Sequence, residues 1–287
     1  MLDLILCILC FNVLLILFKF FTRFGVDNLQ AIVVNYAVAG TLGILHAGGF
    51  SKFDVLIEAE WMPYSVFIGA FFILTFLLLA IGTQKIGMAI SSVANKMSVV
   101  VPVLFTFFLY GDEVTALKIS GIALALVGVY LTATNKQSLN FDKKYVWMIV
   151  LIFLGQGIAD VIFNYAEKNY VQQEESGLFI CGMFFSAGLV GLLIATVQLA
   201  LKKSRFDWRS LLWGIALGVP NYFTVHFFFS ALKTSPLEDS QVYPIYNVGV
   251  ILCSALIGFF LFREKLSLRN WIGIGLSVVA IAAVGLG

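Results

Sequence analysis

An all-α membrane protein of ten transmembrane helices, arranged as two inverted five-helix repeats, is the fold that three observations predict. The first is composition: 61% of the 287 residues are hydrophobic and 12% are charged, against about 25% charge in a soluble domain. The mean hydropathy is +0.98. So few charges cannot cover a water-soluble fold of this size. The second is the succession of ten apolar runs, each near the roughly 20 residues a spanning helix needs. The third is a match of the chain to itself at a fixed offset.

The runs fall at Leu2–Phe21, Leu29–Ala47, Pro63–Gly82, Met88–Tyr110 and Ala116–Thr134. A polar break at Asn135–Lys144 follows. The second five are Tyr145–Ala166, Gly177–Leu201, Ser210–Leu232, Gln241–Phe262 and Leu268–Leu286. Helices are expected throughout, because lipid offers the backbone no hydrogen-bond partner. A barrel would show short alternating segments instead. The first run is apolar from Leu2, with no basic leader or small-residue cleavage site, and is expected to be a retained span. The longest connection, Gly48–Met62, has no room for a domain, so function is expected inside the bundle or at its mouths.

At a constant offset Phe11-Asn12 falls on Phe163-Asn164, Gly25 on Gly177 and Asn95 on Asn247. Phe107-Phe108-Leu109 falls on Phe259-Phe260-Leu261, Asp112 on Glu264, Thr115 on Ser267, and Gly121-Ile122 on Gly273-Ile274. Polar matches carry the signal in so apolar a chain. The units are residues 1–135 and 144–287. Five spans in each reverse the orientation of the second unit, an arrangement recurrent in secondary transporters with the site at mid-membrane.

Both halves end on a shared pattern: an aromatic-rich helix, an acidic residue (Asp112, Glu264), then Thr115 or Ser267 opening a glycine-bearing last helix (Gly121, Gly128; Gly273). This resembles the EamA-type branch of the drug/metabolite transporter superfamily. The first copy has Asp112-Glu113 where one glutamate is usual, and Ser254 stands where the offset places Pro102. The resemblance spans the whole chain. It implies a multi-pass protein of the bacterial cytoplasmic (inner) membrane, a central cavity, alternating access, and export or import of a small organic solute. Asp112 and Glu264 also admit a local reading, with Thr115 or Ser267 capping the helix and the acid favoured by its dipole; a gating role is the alternative.

Ionisable groups inside a span are costly and face a cavity or a partner. Lys96, Asp160 and His226 stand well within spans. Gln156, Asp160 and Asn164 are spaced by four and share a helix face, either lining a cavity or forming an interhelical seam. Gly155 and Gly157 would allow close helix approach. Lys96, roughly 12 Å into the membrane at 1.5 Å per residue, needs an anion. It pairs with Asp160, or the two charges bracket a zwitterion, and both arrangements can hold in different states. Candidate substrate-binding residues are therefore Lys96, Asp160, Gln156, Asn164, Asn12, Asn95, Tyr243, Asn247, Tyr222 and His226, with Tyr246 beside them. Asp160 is the candidate for proton coupling, its protonation set by burial against a nearby lysine.

Net charge is +2, which gives no footing for nucleic acid. Cys7, Cys10, Cys181 and Cys253 lie in apolar runs and read as packing residues. The two histidines, His46 and His226, stand singly, so no metal or cofactor is expected. Of the 18 Lys and Arg, only Lys52, Lys118, Lys168 and Lys233 belong to even-numbered connections and Lys96 to a span. The rest belong to odd-numbered ones, which by the positive-inside rule face the cytoplasm with both termini outside; the resembled family is commonly drawn with both inside. The leading expectation is a non-enzymatic carrier of an amino acid or similar zwitterion, monomer or homodimer. An exporter of lipophilic cations and a lipid-modifying membrane enzyme are the rivals.

Overall fold

The computed structural model describes residues 1–109, 115–133, 143–234 and 239–286. The helices are α1 Leu2–Phe24, α2 Asn28–His46, α3 Phe53–Glu58, α4 Met62–Lys85, α5 Met88–Lys96 and α6 Val100–Leu109, then α7 Ala116–Ala133, α8 Lys143–Tyr170, α9 Ser176–Ala200, α10 Trp208–Thr234, α11 Asp239–Phe260 and α12 Leu268–Leu286. Eight helical stretches among the described residues are long and apolar enough to cross a membrane. They are α1, α2, α4, the run Met88–Phe105 through α5 and α6, Tyr145–Tyr170 in α8, α9, α10, and Val242–Phe260 in α11. The apolar stretches of α7 and α12, Ile119–Thr132 and Leu268–Ala283, are shorter, although both were expected as spans. The chain is a multi-pass membrane protein.

Local signals explain the helix ends. Gly25 closes α1 with φ 64, its N–H donating to Phe21 O, a left-handed cap that glycine adopts without strain. Asp27 opens α2, its carboxylate accepting from Gln30 N at 3.0 Å. Pro63 sits in the first turn of α4, where its missing N–H costs nothing. Ser267 caps α12: its Oγ accepts from Asn270 N at 3.2 Å, while Asn270 Oδ1 accepts from Ser267 N at 2.9 Å. The local reading thus holds for Ser267. Asp112 lies outside the described residues.

Two stretches carry local structure that the apolar runs alone do not describe. The connection Gly48–Met62 folds into a 3-10 turn, Phe50–Lys52, and the short helix α3, which bury Leu56 and the following Trp61. The fourth apolar run is also not one continuous α-helix: a 3-10 turn, Met97–Val99, divides α5 from α6. Pro102 has no N–H for the carbonyl of Ser98, and its ring crowds that carbonyl. Ser98 Oγ donates to Asn95 O at 2.6 Å. The break makes Lys96 the last residue of a nine-residue half-helix.

At the end of the bundle holding residues 25–27, 86–87, 201–207 and 261–267, polar side chains tie the helices together. Gln84 Nε2 donates to Phe18 O at 3.0 Å and to Asn28 Oδ1 at 2.8 Å. Gln30 Nε2 donates to Arg205 O at 2.8 Å, and Ser204 Oγ to Asp27 Oδ2 at 2.9 Å. Glu264 forms an ion pair with Lys19 at 2.7 Å. Its carboxylate also accepts from Met88 N at 2.7 Å and Ala89 N at 3.4 Å, the free amides at the start of α5. Glu264 was expected to serve the dipole of its own following helix; it serves α5 instead, because the turn after α11 folds it back over Gly87. The cavities lie towards the opposite end.

Candidate functional site

A cavity of about 480 Å³ lies between α5–α6, α8, α9, α10 and α11, a volume in the range of about 300–1,000 Å³ usual for small-molecule sites. Its polar lining comes chiefly from three elements. From the α5 break come Asn95, Lys96 and Ser98; from α8 come Gln156, Asp160 and Asn164, and α11 adds Tyr243, Tyr246 and Asn247. Phe72, Phe163, Phe184, Phe228 and Phe229 form apolar walls.

Lys96 is the cationic end of this site. Its Nζ donates to Tyr246 Oη at 3.1 Å and stands 3.8 Å from the centre of the Phe11 ring and 4.4 Å from that of Tyr246. Aromatic faces within about 6 Å attract a cation, more so when it is desolvated. The C-terminal end of α5, rich in partial negative charge, adds to this. The half-helix thus carries an anion, Glu264, at its first amides and a cation, Lys96, at its last turn. That is how the fold holds a lysine inside the membrane without a carboxylate in contact.

Asp160 is the anionic end. Asn95 Nδ2 donates to Gln156 Oε1 at 3.2 Å, and Gln156 Nε2 donates to Asp160 Oδ1 at 2.8 Å, so a chain of amides orients the carboxylate. This chain is possible because α8 approaches α4 and α6 closely at two glycines. A Cβ at Gly155 would meet Thr75 Oγ1 at 2.7 Å, and one at Gly157 would meet Val101 Cβ at 2.5 Å. Lys96 and Asp160 line the same cavity without forming a direct ion pair in this conformation.

Seven expected residues therefore gather around one cavity: Lys96, Asp160, Gln156, Asn164, Asn95, Tyr243 and Asn247. Asn12 does not join them. It is buried in α1, its Nδ2 donating to Ile8 O of its own helix at 2.9 Å. Tyr222 and His226 line a second cavity, of about 320 Å³, with His46, Cys181, Ser230 and Lys233. The histidines do not stand singly: the rings of His46 and His226 lie 4.8 Å apart. Sequence reasoning missed Phe11 as the partner of Lys96; its place in the repeat match, opposite Phe163, was the available signal. Cys7 and Cys181 are buried packing residues, with Cys7 Sγ donating to Thr224 O at 3.1 Å.

No protein-family model matches the chain. An uncharacterized protein of Haemophilus influenzae is 27% identical over 287 residues, covering 97% of this chain and 96% of that protein. A solved crystal structure, 17% identical, superposes with a TM-score of 0.62 over 99% of this chain and 96% of its own, a likeness of fold. A protein of Hamiltonella defensa subsp. Acyrthosiphon pisum, described as "Probable 4-amino-4-deoxy-L-arabinose-phosphoundecaprenol flippase subunit ArnE", is 34% identical over 97 residues, 31% of this chain and 84% of that protein. On that relationship and the apolar helical bundle, the chain is a transporter-like membrane protein and belongs to the drug/metabolite transporter superfamily.

Proposed function

We propose that the chain is an EamA-type secondary transporter of the bacterial cytoplasmic membrane, built of ten spans in two inverted repeats, 1–135 and 144–287. It carries a small zwitterionic metabolite, an amino acid or a similar molecule, by alternating access and is not an enzyme. The observation that carries this reading is the placing of Lys96 and Asp160 around one cavity without a direct ion pair. A substrate carboxylate reaches Lys96 and a substrate ammonium reaches Asp160, while the phenylalanine walls accept an apolar side chain. Asp160 is also the residue on which proton coupling would act. The repeat matches and the terminal Ser/Thr-and-glycine pattern support the EamA assignment and the inverted pairing.

The likeness to the flippase subunit favours a second reading, a carrier of an amphiphile with an amine in its head group. Lipophilic cations fall under the same alternative, and Asp160 would be their counter-ion. Counterflow separates the two. Proteoliposomes are loaded with an unlabelled amino-acid mixture and offered the same mixture radiolabelled. Accumulation by the unaltered protein and its loss in Lys96→Ala is the expected result. No accumulation, together with competition among cationic amphiphiles for binding, would replace the first reading by the second.

A further inference from the structure

We propose that His46 and His226 form a binding site for a divalent transition-metal ion at the mouth of the bundle. His46 ends α2 and His226 lies in α10, and the two helices pack side by side. Their imidazoles are 4.8 Å apart between centres and inclined at 71°. Two imidazoles bound to one tetrahedral ion at about 2.0–2.1 Å per nitrogen have ring centres about 5 Å apart, close to the separation of this pair. Both rings line the cavity of about 320 Å³, and among the described residues neither imidazole makes a hydrogen bond. Tyr222 stacks on His226 at 5.7 Å and 26°, fixing the plane of one ligand.

The charge around the pair is mixed. Lys233 lines the same cavity and opposes a cation. Asp3 of α1 offsets it, its carboxylate accepting from Ser230 Oγ at 2.7 Å and Thr234 Oγ1 at 3.1 Å on the same turn of α10 as Lys233. The remaining coordination positions face the cavity and are open to water or to a small ligand. Among the described residues no group of three His, Cys, Asp or Glu side chains gathers there, so the pair supplies fewer ligands than the three or four of catalytic and structural zinc centres. The cavity shares Ile180, Val225 and Phe229 with the larger one. An ion held there ties the end of α2 to α10 beside the path into the main cavity.

The test is a zinc titration of the purified full chain in detergent, followed by heat and by the absorption of a cobalt(II) substitute. One equivalent is expected to bind, with affinity at least about tenfold weaker in His46→Ala and in His226→Ala. His46→Gln and His226→Gln, checked for an unchanged elution volume, guard against misfolded variants. Saturable binding that survives in the double alanine variant would overturn the assignment, as would no binding by the unaltered chain. Cobalt spectra dominated by sulfur-to-metal charge transfer would overturn it too, by assigning the ion to the free thiols.

Discussion

Replacing Glu264 with alanine removes the anion that holds the first turn of α5 to the turn after α11. The carboxylate is 10% exposed and lies 2.7 Å from Lys19 Nζ, so water screens it little. It also accepts from the amides of Met88 and Ala89, at 2.7 and 3.4 Å. Hydrogen bonds to charged groups contribute about 1.5–3 kcal/mol each, and deleting one partner of a buried pair costs about 3–5 kcal/mol. Counting the longer bond at little, the local loss is about 3 kcal/mol, or roughly two powers of ten in the equilibrium for local opening. Hydrogen–deuterium exchange of a peptide covering residues 86–92 reads this directly. Glu264→Ala should exchange about a hundredfold faster there, and Glu264→Gln, which keeps a neutral acceptor, about tenfold faster. Residues 176–184, at the opposite end of the bundle, serve as the internal control. Exchange within twofold of the unaltered chain in Glu264→Ala would refute the claim that this carboxylate closes that end.

Three further outcomes follow from the packing. Gly87→Ala should loosen the same junction, since φ is +132 and a Cβ would stand 2.9 Å from Glu264 Oε2; backbone strain of this kind costs about 1–3 kcal/mol, and exchange at 86–92 should rise without any change in charge. Gly157→Val should lower the melting temperature in detergent, because its side chain meets Val101, an overpacking cost of about 1–3 kcal/mol, whereas Gly275→Ala, with nothing within 4 Å of its Cβ, should not lower it, alanine being the better helix former. Ser267→Ala removes the hydroxyl that accepts from Asn270 N and should cost about 1 kcal/mol, read as earlier thermal unfolding, with Ser267→Thr close to the unaltered chain.

The polar face of α8 was legible because helical periodicity is a local property: residues four apart share a side, and Gln156, Asp160 and Asn164 do line one cavity. The break after Lys96 was not, because hydropathy does not distinguish an apolar α-helix from an apolar helix interrupted at Pro102. Seen with its break, the segment explains how Lys96 is tolerated, through a helix end and two aromatic faces. Glu264 was given a local partner because spacing describes neighbours in the chain. Its real partners, Lys19 and the start of α5, are brought to it by the fold. The same holds for His46 and His226, which no sequence window contains together. Asn12 shows the converse: it was grouped with the cavity residues, but its Nδ2 donates to Ile8 O within its own helix and it does not line the cavity.

The central claim is that one cavity reads a carboxylate at Lys96 and an ammonium at Asp160. Competition in the counterflow assay tests it most directly, using an accumulated amino acid, its decarboxylated amine and its deaminated acid against the unaltered chain, Lys96→Ala and Asp160→Ala. The account predicts that the zwitterion competes best with the unaltered chain, that Lys96→Ala no longer favours the zwitterion over the amine, and that Asp160→Ala no longer favours it over the acid. Equal transport and an unchanged order of competition in both variants would contradict it.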